Sequence, residues 1–175
     1  MRARSANLEL LRAAAKLAAA SMRLTIYTEL ATLPHFNPDL DGENAVPPAA
    51  VHVLRSTVAA ADGILIASPE YAHGVPGSLK NALDWLVSGP EIVHKPIAVL
   101  SASSRSNYAH EQLVETLRTM SATIVAGASV AIPVSGRHLD ADAIAADVGL
   151  TRLLHSALAA MAEAATTYRR GRGSE

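Results

Sequence analysis

The chain has 175 residues, the size of one ordinary globular domain, and half of them are hydrophobic, so a core can be buried and wholesale disorder is excluded. Fifteen Lys and Arg stand against sixteen Asp and Glu, a formal charge of -1, which argues against a nucleic-acid binder. The absence of cysteine excludes a disulfide scaffold, a cysteine metal site and a thiol nucleophile. Residues 1–20 are interrupted by Arg2, Arg4, Glu9, Arg12 and Lys16, and no apolar stretch is long enough to span a bilayer. The expectation is a single cytoplasmic domain over residues 1–175, with no membrane partner and a frayed tail at 169–175.

Apolar residues at helical spacing (Leu8, Leu11, Ala15, Ala18) predict a helix over 5–20, capped by Ser5 or Asn7. Residues 24–30, with Thr25, Ile26 and Tyr27, read as a short strand. Pro, Asn and Gly make 32–42 a loop. Pro47 and Pro48 open a second helix carrying Val51, Leu54 and Val58. The run Gly-Ile-Leu-Ile-Ala from Gly63 is continuously apolar between turn residues, as a strand buried on both faces of a parallel sheet requires. A helix over 78–87, a strand over 96–101, a helix over 107–120, a strand over 129–134 and a last helix over 150–169 complete the alternation.

Strands alternating with helices predict an α/β layer fold with a mostly parallel sheet, in which ligands sit beyond the carboxyl ends of the strands. Three loops lie there. The first, 68–77, holds two prolines and two glycines around Tyr71 and His73, and could bring bare backbone against a planar heteroaromatic ring. An ordinary tight βα connection is an equal reading of the same spacing. The second, 101–107, concentrates serines and Arg105, for which helix capping by Ser106 or Asn107 is the preferred reading. The third places Arg2, Arg4, Ser5 and Asn7 ahead of a helix N-terminus, a combination that suits a phosphate but is a weak signal alone, because solvated basic termini are common. The seven histidines show no HExxH and no i,i+4 pair, and there is no GxSxG, GxGxxG or GxxxxGK[ST]. No metal site, serine nucleophile, Rossmann fingerprint or P-loop is therefore assigned. Lys80 and Asp84 read as a helix-surface ion pair, and Trp85 as a packing anchor.

Residues 68–85, Ser-Pro-Glu-Tyr-Ala-His-Gly-Val-Pro-Gly-Ser-Leu-Lys-Asn-Ala-Leu-Asp-Trp, resemble the signature of the NADPH-dependent FMN reductase family. Pro34-His-Phe-Asn-Pro-Asp39 resembles that family's turn before the second helix. The resemblance implies a flavodoxin-like, three-layer α/β/α sandwich with a parallel sheet. It also implies bound FMN, with NADPH or NADH as co-substrate. The implied activity is ping-pong reduction of a small-molecule electron acceptor such as a flavin or quinone, by a homodimer or homotetramer. By the same resemblance Arg2, Ser5 and Asn7 take the phosphate, while Pro69, Glu70, Tyr71 and Ala72, with His73 and Gly74 adjoining, take the isoalloxazine ring. Ser101 and Ser103 then contact its far side, and no side chain is assigned as a catalytic acid or base. Ala72 stands where many members carry Asn. The strand and Gly-Ser with which members open are absent here, so the central strand of the sheet is expected to be missing, with a natural start upstream of Met1 favoured over a rearranged sheet. Two other classes fit the pattern less well: a flavodoxin-like electron carrier, and a flavin-free scaffold derived from the family.

Overall fold

The five apolar residues Pro96–Leu100 make a strand that is buried along its whole length, so every backbone group in it must find a partner within the protein. In the computed structural model, which describes residues 5–42, 45–103 and 107–173, two parallel neighbours supply those partners. Strand β1 (Ile64–Ala67) pairs in register with strand β2 (Pro96–Leu100), from Ile64 against Ile97 to Ala67 against Leu100. Strand β3 (Thr123–Ile124) lies on the other side of β2, Thr123 against Pro96 and Ile124 against Ile97. Among the described residues the sheet therefore has the order β1-β2-β3.

The strand predicted over 129–134 is corrected by this arrangement. After β3 the chain turns through a single 3₁₀ turn, Ala126–Ala128, and only one bridge, Ser101 with Ala131, remains of the predicted strand. The ladder survives the interruption because a side chain steps in. The Val99 amide donates to the Ser129 hydroxyl at 3.1 Å, and the Ser101 amide then donates to the Val130 carbonyl at 3.1 Å. Past Pro133 the Val134 and Ser135 amides both donate to the Ala102 carbonyl, at 3.1 and 2.8 Å.

The opposite edge departs from expectation too. All four residues of β1 remain half-buried, short of the burial on both faces that their composition predicts. Residues 24–30 form no strand: they join no ladder and end in a 3₁₀ turn, Glu29–Thr32. A β-prone sequence becomes a strand only where a neighbour takes its hydrogen bonds, and no such neighbour stands there among the described residues. The segment still packs, with Met22 and Leu24 against one core and Tyr27 and Leu30 against the other. The Tyr27 hydroxyl is buried without a partner, and that burial, with the Glu29 carboxylate nearby, pushes its pKa up.

Helices cover both faces, because alternate strand residues point in opposite directions. Ala98 and Leu100 face helices α1 (Ala6–Leu17), α5 (Ala141–Ala146) and α6 (Val148–Arg172). Ile97 and Val99 face helices α2 (Ala49–Ala60), α3 (Gly77–Asp84) and α4 (Tyr108–Thr119). The result is a three-layer α/β/α sandwich with a parallel sheet. Trp85 is fully buried on the second face, where its Nε1 hydrogen goes to the Pro34 carbonyl at 2.9 Å and its ring meets Phe36 edge-on at 5.0 Å. Lys80 and Asp84 form the expected surface pair at 2.5 Å. Helix α5, which the sequence reading lacks, is capped by Asp140, whose side chain accepts from the Ala143 amide. The expected frayed tail is helical through Arg172, held by an Arg169–Asp62 ion pair and by Arg172 donating to the Ala59 carbonyl. No helix among the described residues is long and apolar enough to cross a membrane.

At the amino end of β2, Lys95 is 1% exposed. Its ammonium donates to the Ala61 and Ala59 carbonyls at the end of α2 and lies 5.1 Å from the centre of the Tyr168 ring. Burial, with Arg172 nearby, lowers its pKa from 10.5 to about 8. A folded ammonium that sheds its proton below the unfolded value penalises the fold at neutral pH. That penalty is relieved as pH rises from about 8 to about 10. The urea midpoint of the wild-type protein should therefore rise relative to that of Lys95→Met across this window. A difference that stays flat with pH would contradict the assignment.

Candidate functional site

Parallel strands deliver the loops that follow them to the same edge of the sheet, and the N-terminus of α1 arrives there as well. Ser5 keeps extended backbone (φ -104, ψ 115) and its hydroxyl accepts from the Leu8 amide at 3.4 Å, so the helix begins where a cap was expected. Beneath this turn lies a cavity of about 410 Å³, within the usual range of small-molecule sites. Ser5 and Asn7 line one side of it. Pro69, Glu70 and Tyr71, beyond β1, line a second, and Ser101 and Ser103, beyond β2, a third. The loop 68–77 and the serine loop thus share one cleft.

Three further candidates stand apart from it. Ala72, His73 and Gly74 do not line the cavity; they form a tight turn at its mouth. The Tyr71 amide donates to the Gly74 carbonyl at 3.2 Å, and the Gly74 amide returns a bond to Tyr71 at 2.9 Å. Between them Ala72 and His73 both hold left-handed backbone, at φ 49 and φ 61. Two-residue hairpins of this kind favour Asn-Gly, because a Cβ is strained there. The glycine of the turn is not the left-handed residue. A Cβ at Gly74 would meet only ordinary contacts, with the Tyr71 carbonyl oxygen at 3.5 Å and Gln112 Oε1 at 3.7 Å. Arg2 lies outside the described residues, as does Arg105.

Two bonds from α4 hold the strained turn in place. The Ala109 amide in the first turn of α4 donates to Glu70 Oε2 at 2.9 Å, and the Val75 amide donates to Gln112 Oε1 at 2.9 Å. Asn107, the local N-cap position, makes no side-chain capping bond. Glu70, far away in sequence, supplies the cap, and a carboxylate suits the positive end of the helix.

The serine hydroxyls are partly committed within their own loops. Ser68 donates to the Pro69 carbonyl at 3.1 Å and Ser101 to the Ser103 carbonyl at 2.5 Å, which shapes both strand ends. Asn7 differs from them: its Oδ1 is buried and without a partner. A half-turn of the amide presents either oxygen or nitrogen to a ligand. Ala109, His110 and Ser135 also line the cavity and were absent from the sequence-based set. Ser135 follows a predicted strand, so the strand-end rule reaches it; His110 lies inside a predicted helix, beyond the reach of that rule.

A family model for NADPH-dependent FMN reductases matches residues 1–136. The chain belongs to this family. Among curated relatives, a quinone reductase of Escherichia coli K12 is 38% identical over 90 residues, covering 50% of this chain and 47% of the relative. An NADPH:quinone oxidoreductase of Arabidopsis thaliana is 39% identical over 93 residues, covering 50% and 47%. The chain thus spans about half the length of the curated relatives it matches. A solved structure from Paracoccus denitrificans, described as the flavoenzyme FerB, an NAD(P)H:(acceptor) oxidoreductase, superposes with a TM-score of 0.75 at 24% identity over 96% of this chain and 93% of that one. The likeness supports the flavodoxin-like layering of the fold.

Two substitutions test how the mouth of this family member is built. Glu70→Ala should lower stability by about 1 kcal/mol through loss of a helix cap, read as a lower urea midpoint. Ala72→Gly should raise it by about 1 kcal/mol, since the left-handed Cβ strain disappears. Stabilities unchanged by both would mean that neither the cap nor the strain is real.

Proposed function

We propose that this chain binds FMN in the cavity at the carboxyl end of the sheet and uses NADPH or NADH to reduce a small-molecule acceptor such as a flavin or quinone, by a ping-pong sequence. The observation that carries the reading is the convergence of two strand-end loops and a helix N-terminus on one cavity in a member of the FMN reductase family. The donor set fits the group. Asn7 offers a buried amide oxygen without a partner, Ser5 a hydroxyl at a helix N-terminus, and the loops a mixture of backbone and small side chains.

When bound, FMN supplies the capacity to take a hydride from a reduced nicotinamide and to pass electrons on. The chain's own residues position it. Arg2, Ser5 and Asn7 hold the phosphate end, where helix amides and partial positive charge favour an anion. Pro69, Glu70 and Tyr71, with the Ala72–Gly74 turn beside them, bear on the ring from one side, and Ser101 and Ser103 from the other. Glu70 works by fixing this wall to α4, so its carboxylate is a positioning group. No acid or base is required of any side chain, and one open face serves donor and acceptor in turn. The reading includes a cytoplasmic setting and a homodimeric or homotetrameric assembly.

The purified protein should carry, or take up on titration, the visible absorbance of a flavin, and should then oxidise NADPH in the presence of a quinone. Asn7→Ala should weaken FMN binding about tenfold, the effect of losing roughly 1.4 kcal/mol of hydrogen bonding. A wild-type protein that takes up no FMN would end this reading.

A further inference from the structure

At the end of the sheet opposite the cavity, two cations share the same partners. Lys95, 1% exposed at the start of β2, donates from Nζ to the Ala61 carbonyl and, at 3.5 Å, to that of Ala59. Arg172, in the last turn of α6, donates from Nη1 to the same Ala59 carbonyl at 3.3 Å. They share a ring as well. The Lys95 ammonium lies 5.1 Å and the Arg172 guanidinium 5.7 Å from the centre of Tyr168.

Sharing weakens both. Each bond to Ala59 is longer than the range of about 2.7–3.2 Å usual for an N–H donating to oxygen, so neither cation engages the carbonyl fully. Two like charges on one acceptor and one ring also repel each other. Only one of them can yield: a buried ammonium sheds its proton, whereas a guanidinium keeps its charge. Other charges face the ammonium. Asp62, which follows α2, and Glu91, ahead of β2, favour its charged form, while burial and Arg172 oppose it. Arg169 on α6 is held by Asp62 at 3.5 Å. Burial and Arg172 outweigh the two carboxylates, and the Lys95 pKa falls to about 8.

We propose that Lys95 is a proton-operated latch for the last turn of α6. Charged, it competes with Arg172 for the Ala59 carbonyl and the Tyr168 ring, and holds the turn loose. Neutral, it keeps its bond to Ala61 as an amine and leaves the other two partners to Arg172, which draws the turn onto the end of α2. The proton passes to solvent, and no covalent bond to carbon changes. None of these residues lines the cavity, so the latch stands independently of the functional reading above.

The coupling is reciprocal: what the charge of Lys95 does to Arg172, Arg172 does to the proton on Lys95. The chain has three lysines, Lys16, Lys80 and Lys95, so NMR of isotope-labelled lysine in the full chain can follow each titration. Arg172→Gln should raise the Lys95 midpoint by about half a pH unit, equivalent to about a threefold change in the closing of the turn. Trypsin cleavage after Arg169 and Arg170, taken relative to a short arginine peptide at the same pH, should therefore fall about threefold in the wild type from about pH 7 to about pH 9.5. In Lys95→Met it should stay at the low level throughout. A Lys95 midpoint unmoved by Arg172→Gln would overturn the proposal, and that measurement stands even where Lys95→Met does not fold. Wild-type cleavage that stays flat or rises across the window would overturn it too.

Discussion

The hydrogen-bonding demand of β2 organises the molecule. A strand buried along its whole length can leave none of its amides or carbonyls unpaired without a cost of about 1–3 kcal/mol for each. It meets the demand with parallel neighbours on both edges, and parallel pairing forces every connection to cross back over the sheet. Two consequences follow at once. The crossovers clothe both faces with helices, and the loops that leave β1 and β2 emerge side by side. The cavity is the space between those loops. Where the second neighbour falters, at the 3₁₀ turn after β3, the Ser129 hydroxyl takes the Val99 amide, so the demand is met even where strand geometry fails.

Loops brought side by side still need to be fixed, and this chain fixes them through helix ends. Glu70 caps α4 from the opposite wall. On the other face Glu9, in α1, accepts from the Ala141 amide at the start of α5 at 3.0 Å. Each carboxylate satisfies an orphan amide and meets the positive end of a helix dipole, and each ties together segments remote in sequence. The Glu70 bond, with that of Gln112 to Val75, over-determines a turn that Ala72 and His73 would otherwise leave for relaxed backbone. Strain at the mouth persists because α4 grips the turn before and after it.

What was legible in the sequence follows from which interactions are local. The helices α1, α2, α3, α4 and α6 announce themselves through apolar spacing and through Ser5 and the prolines at their starts. Strands β1 and β2 announce themselves as short apolar runs between turn residues. The strand-end rule points to the loops after β1 and β2, which meet at the cavity. The segment 24–30 was misread because its Thr, Ile and Tyr state a preference that only a neighbour can realise. The strand over 129–134 was misread because a hydroxyl replaced part of its ladder, which no propensity describes. The Glu70 cap was invisible for a similar reason: capping rules look three residues away, and this cap spans 39. The rings of His73 and Tyr108 stack with centroids 4.4 Å apart, a contact that joins a loop to a helix and has no signature along the chain.

The composition of the two cores completes the account of the site. The core under α1, α5 and α6 is rich in alanine, with Ala13, Ala14, Ala98, Ala128 and Ala157 all buried. The other core is filled by Trp85 and by Leu and Ile side chains. Small side chains let helix and sheet approach closely, and close packing leaves no room for larger ones without strain. On the alanine face this draws α1 down onto β1 and β2, and so lowers its first turn, with Ser5 and Asn7, to the level of the loops that follow the strands. Bulkier residues at Ala13 or Ala14 would lift that turn away from the cavity while leaving the sheet intact. The buried alanines of this core therefore serve the site as well as the fold.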